Sequence, residues 1–265
     1  MNASLAPARV NNTHVAAGFA VLFAVYHFHE FFQSLTISAI TLLTFMVVSY
    51  VVARAQQLRG LQSWGLGMQQ HWWVKLALGL AAGMLFVSLS TAASVYLGYE
   101  RATASPGATV FFKQIWWIMF MTFWPSLAED ILTRGYLYKH FGHRMPPYTW
   151  VAFSAVVYVL NHIWRLTDHP AVLTYLFILG LVLATAMVLT KSMWLTLGIH
   201  WGANILYYVS VDIFAVEAVV DGRESTWVLA AAYLLLLVVM LLTAGVLQKS
   251  KTRKTASTPG LAYKL

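Results

Sequence analysis

Eight apolar runs, each about as long as a bilayer core is thick, constrain this chain more than any other feature. They cover Val15–Phe31, Leu35–Ala53, Trp72–Leu97, Val110–Phe141, Tyr148–Trp164, Ala171–Thr190, Met193–Ile213 and Trp227–Leu247. A helix needs about 20 mostly apolar residues to cross the hydrocarbon. Only 10% of the 265 residues are charged and 60% are hydrophobic, whereas a soluble domain carries about 25% charged residues. The 17 basic and 9 acidic side chains are too few to cover a soluble core of this size. Composition therefore excludes an ordinary soluble enzyme, a disordered chain and a nucleic-acid-binding domain. In lipid the backbone must satisfy its own polar groups, so runs of this length predict an all-α, polytopic bundle of about eight membrane spans.

Charge sorts along those runs. With the C-terminal tail inside and eight alternating spans, the inner side holds Arg9, Arg54, Arg59, Lys75, Lys139, Arg144, Lys191, Lys249, Lys251, Arg253, Lys254 and Lys264. The outer side holds Arg101, Lys113, Arg165 and Arg223, together with Glu30, Glu100, Asp168, Asp212, Glu217, Asp221 and Glu224. Bases concentrate on cytoplasmic loops, so both termini are expected in the cytoplasm, in a cell membrane of bacterial type. The net charge of +8 then marks topology and not a nucleic-acid partner. No small-residue cleavage site follows the first run, which reads as a membrane helix and not a removed signal. Leu58–His71 reads as an amphipathic stretch lying in the interface. Residues 249–265 read as a disordered basic tail. The resulting division is 1–108 for N-terminal helices, 109–212 for a helical core, 213–248 for the last helix, and the tail.

Few ionisable residues remain at depth: Glu129, Asp130 and Arg134 in the fourth run, His162 in the fifth and His200 in the seventh. Each intramembrane charge costs at least ~2.5–3.5 kcal/mol on insertion scales and marks function by default. Asp130 and Arg134 are i,i+4 and can pair. Glu129 lies ~100° around the helix without a built-in partner. Pro125 one turn earlier frees the Met121 carbonyl and predicts a kink. Tyr158 with His162, and His200 with Asn204, also share faces at i,i+4 spacing. Counted at ~1.5 Å per residue from the cytoplasmic helix ends, Glu129 lies ~18 Å in, His162 ~21 Å and His200 ~10 Å. Convergence then requires tilt. Such a set suits water attack on an amide, with glutamate and histidine handling protons and His200 and Asn204 stabilising an oxyanion. The same Glu129, His162 and His200 could hold a divalent metal such as zinc; metal and no metal both stay open. There is no cysteine, no HExxH and no nucleophile elbow. His27, His29 and Glu30 read as an interfacial cap, and His140 and His143 as interface anchors.

These residues resemble a family. Glu129-Asp130-Ile131-Leu132-Thr133-Arg134 is similar to the EExxxR signature of the CPBP intramembrane proteases, which include the type II CAAX prenyl endopeptidases and the bacteriocin-processing or Abi proteins. Tyr158 to His162 looks like its FxxxH motif, and His200 to Asn204 matches HxxxN. Ser63 to Gly67 resembles an upstream feature of the family. The sequence departs at Asp130, where the family has Glu, and at Tyr158, where it has Phe. The resemblance implies Glu129 as the water-activating residue, His162 as its partner, His200 and Asn204 as the oxyanion site, and Arg134 as a structural residue, with Asp130 and Tyr158 in support. It implies an endopeptidase acting on a membrane-associated peptide or protein, either a CAAX-type prenyl protein or a bacterial peptide, near the cytoplasmic half of the bilayer. A non-catalytic relative, serving bacteriocin immunity or scaffolding, is the alternative.

Overall fold

A computed structural model describes residues 11–219 and 221–256, with side chains described through residue 246. Its helices are α1 (Asn12–Phe28), α2 (Leu35–Ala55), α3 (Trp72–Tyr96), α4 (Ala108–Asp130), α5 (Leu137–Phe141), α6 (Pro147–Asn161), α7 (Pro170–Thr190), α8 (Met193–Tyr208) and α9 (Arg223–Ala256). A π-helical segment, Ile131–Tyr136, joins α4 to α5, and a second, Val209–Ile213, extends α8. Each predicted apolar run corresponds to one helical rod, and the all-α expectation holds. Four helical stretches, Leu35–Ala55, Trp72–Tyr96, Pro170–Thr190 and Arg223–Val246, are long and apolar enough to cross a membrane by length and composition. By contrast α6 has 15 residues, or ~22 Å of helix at 1.5 Å per residue.

Local chemistry sets the helix ends. Asn11, Ser34 and Ser192 each cap an N-terminus by accepting a backbone N–H through the side chain, which satisfies a donor that the helix itself leaves free. Pro147 and Pro170 start α6 and α7, where a missing N–H costs nothing. Apolar side chains such as Val47, Leu78 and Leu242 are more than half exposed on the outer faces. Those faces suit lipid as solvent.

The tightest helix pair is α3 with α8. Gly79 abuts Gly198, and a Cβ on Gly202 would sit 2.5 Å from the Leu80 carbonyl oxygen. Contacts advance together along both helices, so the two run parallel. Small residues allow this approach, which replaces the hydrophobic drive that lipid removes.

Four features depart from the sequence reading. Two three-residue strands, β1 (Glu100–Ala102) and β2 (Val216–Ala218), pair antiparallel, with Arg101 opposite Glu217. They tie the loop after α3 to the loop after α8. The stretch after α2 does not lie flat in an interface: Gly60–Trp64 forms a 3-10 turn that buries Trp64 completely. Its indole donates to the Ser49 carbonyl at 3.3 Å. His140 is likewise no surface anchor, because it packs against Tyr136 and Trp64 and bonds Gln56 at 3.1 Å. Helix α9 continues to Ala256, so the first residues of the expected disordered tail are helical. No proline or glycine interrupts its basic end before Pro259, and lysines and arginines suit a helix C-terminus. Residues 257–265 lie outside the described residues.

Candidate active site

The fourth rod supplies the charged centre. Asp130 and Arg134 pair at 2.8 Å with neither side chain exposed, as their spacing predicts. The Arg134 guanidinium lies over the Tyr158 ring, 4.1 Å from its centroid. Its Nη1 also donates to Thr133 Oγ1 at 2.8 Å. Arg134 Nε and Nη2 and Asp130 Oδ2 have no hydrogen-bond partner among the described residues, so the aromatic face is what answers the rest of that cation. The site's rigid base is this ion pair clamped by a ring.

Glu129 sits beside it and is 6% exposed. Its Oε1 is 3.5 Å from His162 Nε2, and its Oε2 is 3.6 Å from His200 Nε2. Each distance lies just beyond a direct catalytic hydrogen bond of about 2.6–3.2 Å and within reach through one water. The other nitrogen of each imidazole is anchored. His162 Nδ1 lies 2.8 Å from the Tyr158 carbonyl oxygen, and His200 Nδ1 lies 3.3 Å from Asp130 Oδ1. A carbonyl and an ion-paired carboxylate only accept, so the network assigns a hydrogen to both Nδ1 atoms. Each Nε2 is thereby aimed at Glu129. Asn204 donates through Nδ2 to Ser126 Oγ at 2.9 Å, which leaves its second N–H available.

Counting depth along the helices underestimates this convergence. It places His200 well below Glu129 because it sets both helix ends at the membrane surface. The start of α8 is instead sunk in the protein: Ser192 and Met193 are buried, and the Met193 N–H donates to the Gly65 carbonyl at 2.9 Å. A helix that begins inside carries His200 to the level of Glu129.

Two participants escape a reading of the sequence. Asn161 Nδ2 donates to Glu129 Oε1 at 3.1 Å, and Asn161 Oδ1 faces His27 Nε2 at 3.2 Å. His27 is 3% exposed and pairs through Nδ1 with Glu30, which also accepts from the Trp164 indole at 2.8 Å. The expected interfacial cap is thus tied to the charged centre. An uncharged amide does not stand out among membrane helices as a carboxylate does. Its adjacency to His162 is the available signal.

A cavity of about 470 Å³ opens onto Glu129, Tyr158, His162, His200 and Asn204. Its outer wall is formed by Glu100, Arg165, Tyr207, Ser225 and Thr226. Burial pushes the Glu100 carboxyl above its ordinary value, against a hydrogen bond from Ser225 that lowers it. Every one of these wall residues lies at the end of the bundle that carries the β1–β2 pair. On the opposite side lie Trp64, Leu132, Arg134, Tyr136 and Met193, all fully buried, and an apolar groove lined by Asn12, Arg144 and Asn161 passes beside them.

Among the described residues no three His, Cys, Asp or Glu side chains are arranged to hold a metal ion. The two oxygens of Glu129 face different imidazoles, and Asp130 is held by Arg134.

Residues 111–206 match the family model described as Type II CAAX prenyl endopeptidase Rce1-like. The match covers about a third of the chain, and over that segment the chain is similar to the Rce1-like family. The segment runs from α4 to the end of α8 and contains the three motifs read from the sequence. No curated protein matches the chain. The similarity, with the apolar helices around the matched segment, supports a membrane protein related to CAAX-type proteases. It leaves His27, which bonds Asn161, and Glu30, which bonds His27, outside the matched segment.

Proposed function

We propose that the chain is an eight-span intramembrane endopeptidase that hydrolyses a peptide bond with water activated by Glu129. The observation that carries this reading is the placement of the Glu129 carboxylate between two imidazoles, at 3.5 and 3.6 Å, on the wall of a cavity. An Nε2 lone pair and a carboxylate attract only through a proton. With both Nδ1 atoms carrying hydrogen, His200 faces the ionised Glu129 as an imidazolium through Nε2–H, while neutral His162 faces it through a water and keeps a bare Nε2 to receive a proton. Glu129 accepts the proton of the attacking water, and His162 takes it up for delivery to the leaving amine. His200 Nε2–H and the free Asn204 N–H stabilise the oxyanion. Asp130, fixed by Arg134, orients His200 and stabilises the imidazolium form this requires. Aspartate suffices at that position because one oxygen reaches both Arg134 Nη1 and His200 Nδ1. Tyr158 serves as a platform for Arg134, a task its ring performs as a phenylalanine ring would.

The test is comparative proteomics of membranes holding the wild-type chain, Glu129→Ala or His200→Ala. Peptides that the wild type cleaves should persist intact with both variants. If neither substitution changes the processing of any membrane protein or peptide, the cluster acts as structural glue and the protease reading fails.

A further inference from the structure

His27 and Glu30 take no part in the proposed water attack, yet both are tied to the segment that carries His162. His27 lies in the last turn of α1, and Glu30 in the 3-10 turn His29–Phe31 that follows. The segment they reach is the end of α6. Asn161 is its last residue, His162 leaves helical geometry at φ −85° and ψ 59°, and a second 3-10 turn, Ile163–Arg165, comes next. A helix end lacks part of the hydrogen-bond ladder that fixes interior positions. Contacts from elsewhere must hold it, and they come from α1. On one side of His162, Asn161 Oδ1 lies 3.2 Å from His27 Nε2; on the other, the Trp164 indole donates to Glu30 Oε2 at 2.8 Å. His27 Nδ1 bonds the same Glu30 oxygen. The Phe31 ring meets Trp164 edge-on, with centroids 5.5 Å apart.

The acceptors fix where the hydrogens sit. Glu129 Oε1 accepts, so Asn161 turns its N–H toward it at 3.1 Å and its oxygen toward His27. An amide oxygen only accepts, and Glu30 Oε2 already accepts from Trp164, so both His27 nitrogens carry hydrogen. Glu30 balances the charge of this ring, which is 3% exposed. The His27 donor is what selects one face of the amide over the other. Asn161 also borders the apolar groove between α1 and α6, where Phe23, Val157 and Leu160 give it shape but no hydrogen bond. We propose that His27, held by Glu30, is a positioning residue for the hydrolysis. It locks the Asn161 amide so that its N–H meets Glu129, and Trp164 anchors Glu30 from the far side of His162. Both His27 and Glu30 precede residues 111–206, the segment that matches the family model, so the first helix completes the site from outside the motifs. The effect on cleavage rests on the endopeptidase reading; the hydrogen-bonded link does not.

Two measurements on the full chain in lipid nanodiscs test this. The first follows the side-chain amide of Asn161 by NMR in protein labelled at asparagine, with Asn161→Ala identifying the signal. Glu129→Ala and His27→Phe should each shift it, and a signal unmoved by His27→Phe overturns the link. Should His27→Phe fail to fold, Glu30→Gln removes the anchor and leaves the ring, and the same shift is expected. The second is kinetics on a peptide that the wild type cleaves and Glu129→Ala does not. His27→Phe should lower kcat about tenfold, the effect of losing one hydrogen bond to a charged group, with KM nearly unchanged. His27→Phe combined with Asn161→Ala should be no slower than Asn161→Ala alone, because His27 acts through that amide. Losses that multiply overturn the proposal. His27→Gln, whose amide N–H reaches the place of Nε2, should recover most of the rate, and a rate no better than that of His27→Phe overturns it as well. If the wild type cleaves no peptide, the endopeptidase reading falls and the role in hydrolysis with it, while the amide signal still decides whether His27 holds Asn161.

Discussion

An ionisable side chain in an apolar run is conspicuous because burying it costs so much, and that is why Glu129, Asp130, Arg134, His162 and His200 are legible in the amino-acid sequence, with Asn204 found only through its i,i+4 spacing from His200. Their roles divide on partners. Glu129→Gln keeps the Asn161 hydrogen bond but removes the base, so peptide processing should vanish while the protein stays folded; cleavage assays beside thermal melting in detergent separate the two. Arg134→Met should do the reverse. Leaving Asp130 buried without its cation should cost about 3–5 kcal/mol, read as a lower melting temperature or loss of folded protein. Asn161→Ala should lower the rate of processing with little loss of stability, because it frees Glu129 Oε1 without leaving a charge unpaired. Its partner His27 lies 134 positions away along the chain, and no spacing rule connects the two. That link exists only because α1 and α6 meet in space.

At the scale of elements, hydropathy places all eight rods, since a run of apolar residues in lipid has only its own backbone to bond to. It does not place the details that position the site. The π-helical Ile131–Tyr136 leaves no mark in composition, and the 3-10 turn at Gly60–Trp64 looks amphipathic whether it lies on a membrane or tucks beneath α5. The α3–α8 seam has a sharper signature: Gly79 and Gly83 face Gly198 and Gly202 at matched spacing. Gly202→Val should drive side-chain atoms into the Leu80 backbone. Overpacking costs about 1–3 kcal/mol where relaxation is possible, and backbone against backbone relaxes poorly. The expected outcome is loss of monodisperse protein in size-exclusion chromatography. Because Gly202 lies between His200 and Asn204, any surviving protein should also lose processing.

For the whole molecule, the two ends differ in charge, and the cavity opens at the acidic one. Glu100 stands at that opening. Its folded-state value is raised by burial, so its contribution to stability is fully present below the unfolded value and is lost as pH rises through the raised one. Melting temperature should therefore fall as pH climbs above the ordinary carboxylate range, and Glu100→Gln should flatten that slope. Sequence alone determined that the chain is an all-α membrane protein, which residues are candidates for chemistry, and which end bears the bases, because these follow from the cost of placing charge in lipid and from local periodicity. Tertiary structure alone decided that the three motifs converge, that Asn161 joins His27 to Glu129, and that a cavity opens from them at the end that carries β1 and β2. Those depend on where helices begin and cross, and distances between segments remote in sequence are set by packing rather than by the composition of any one segment.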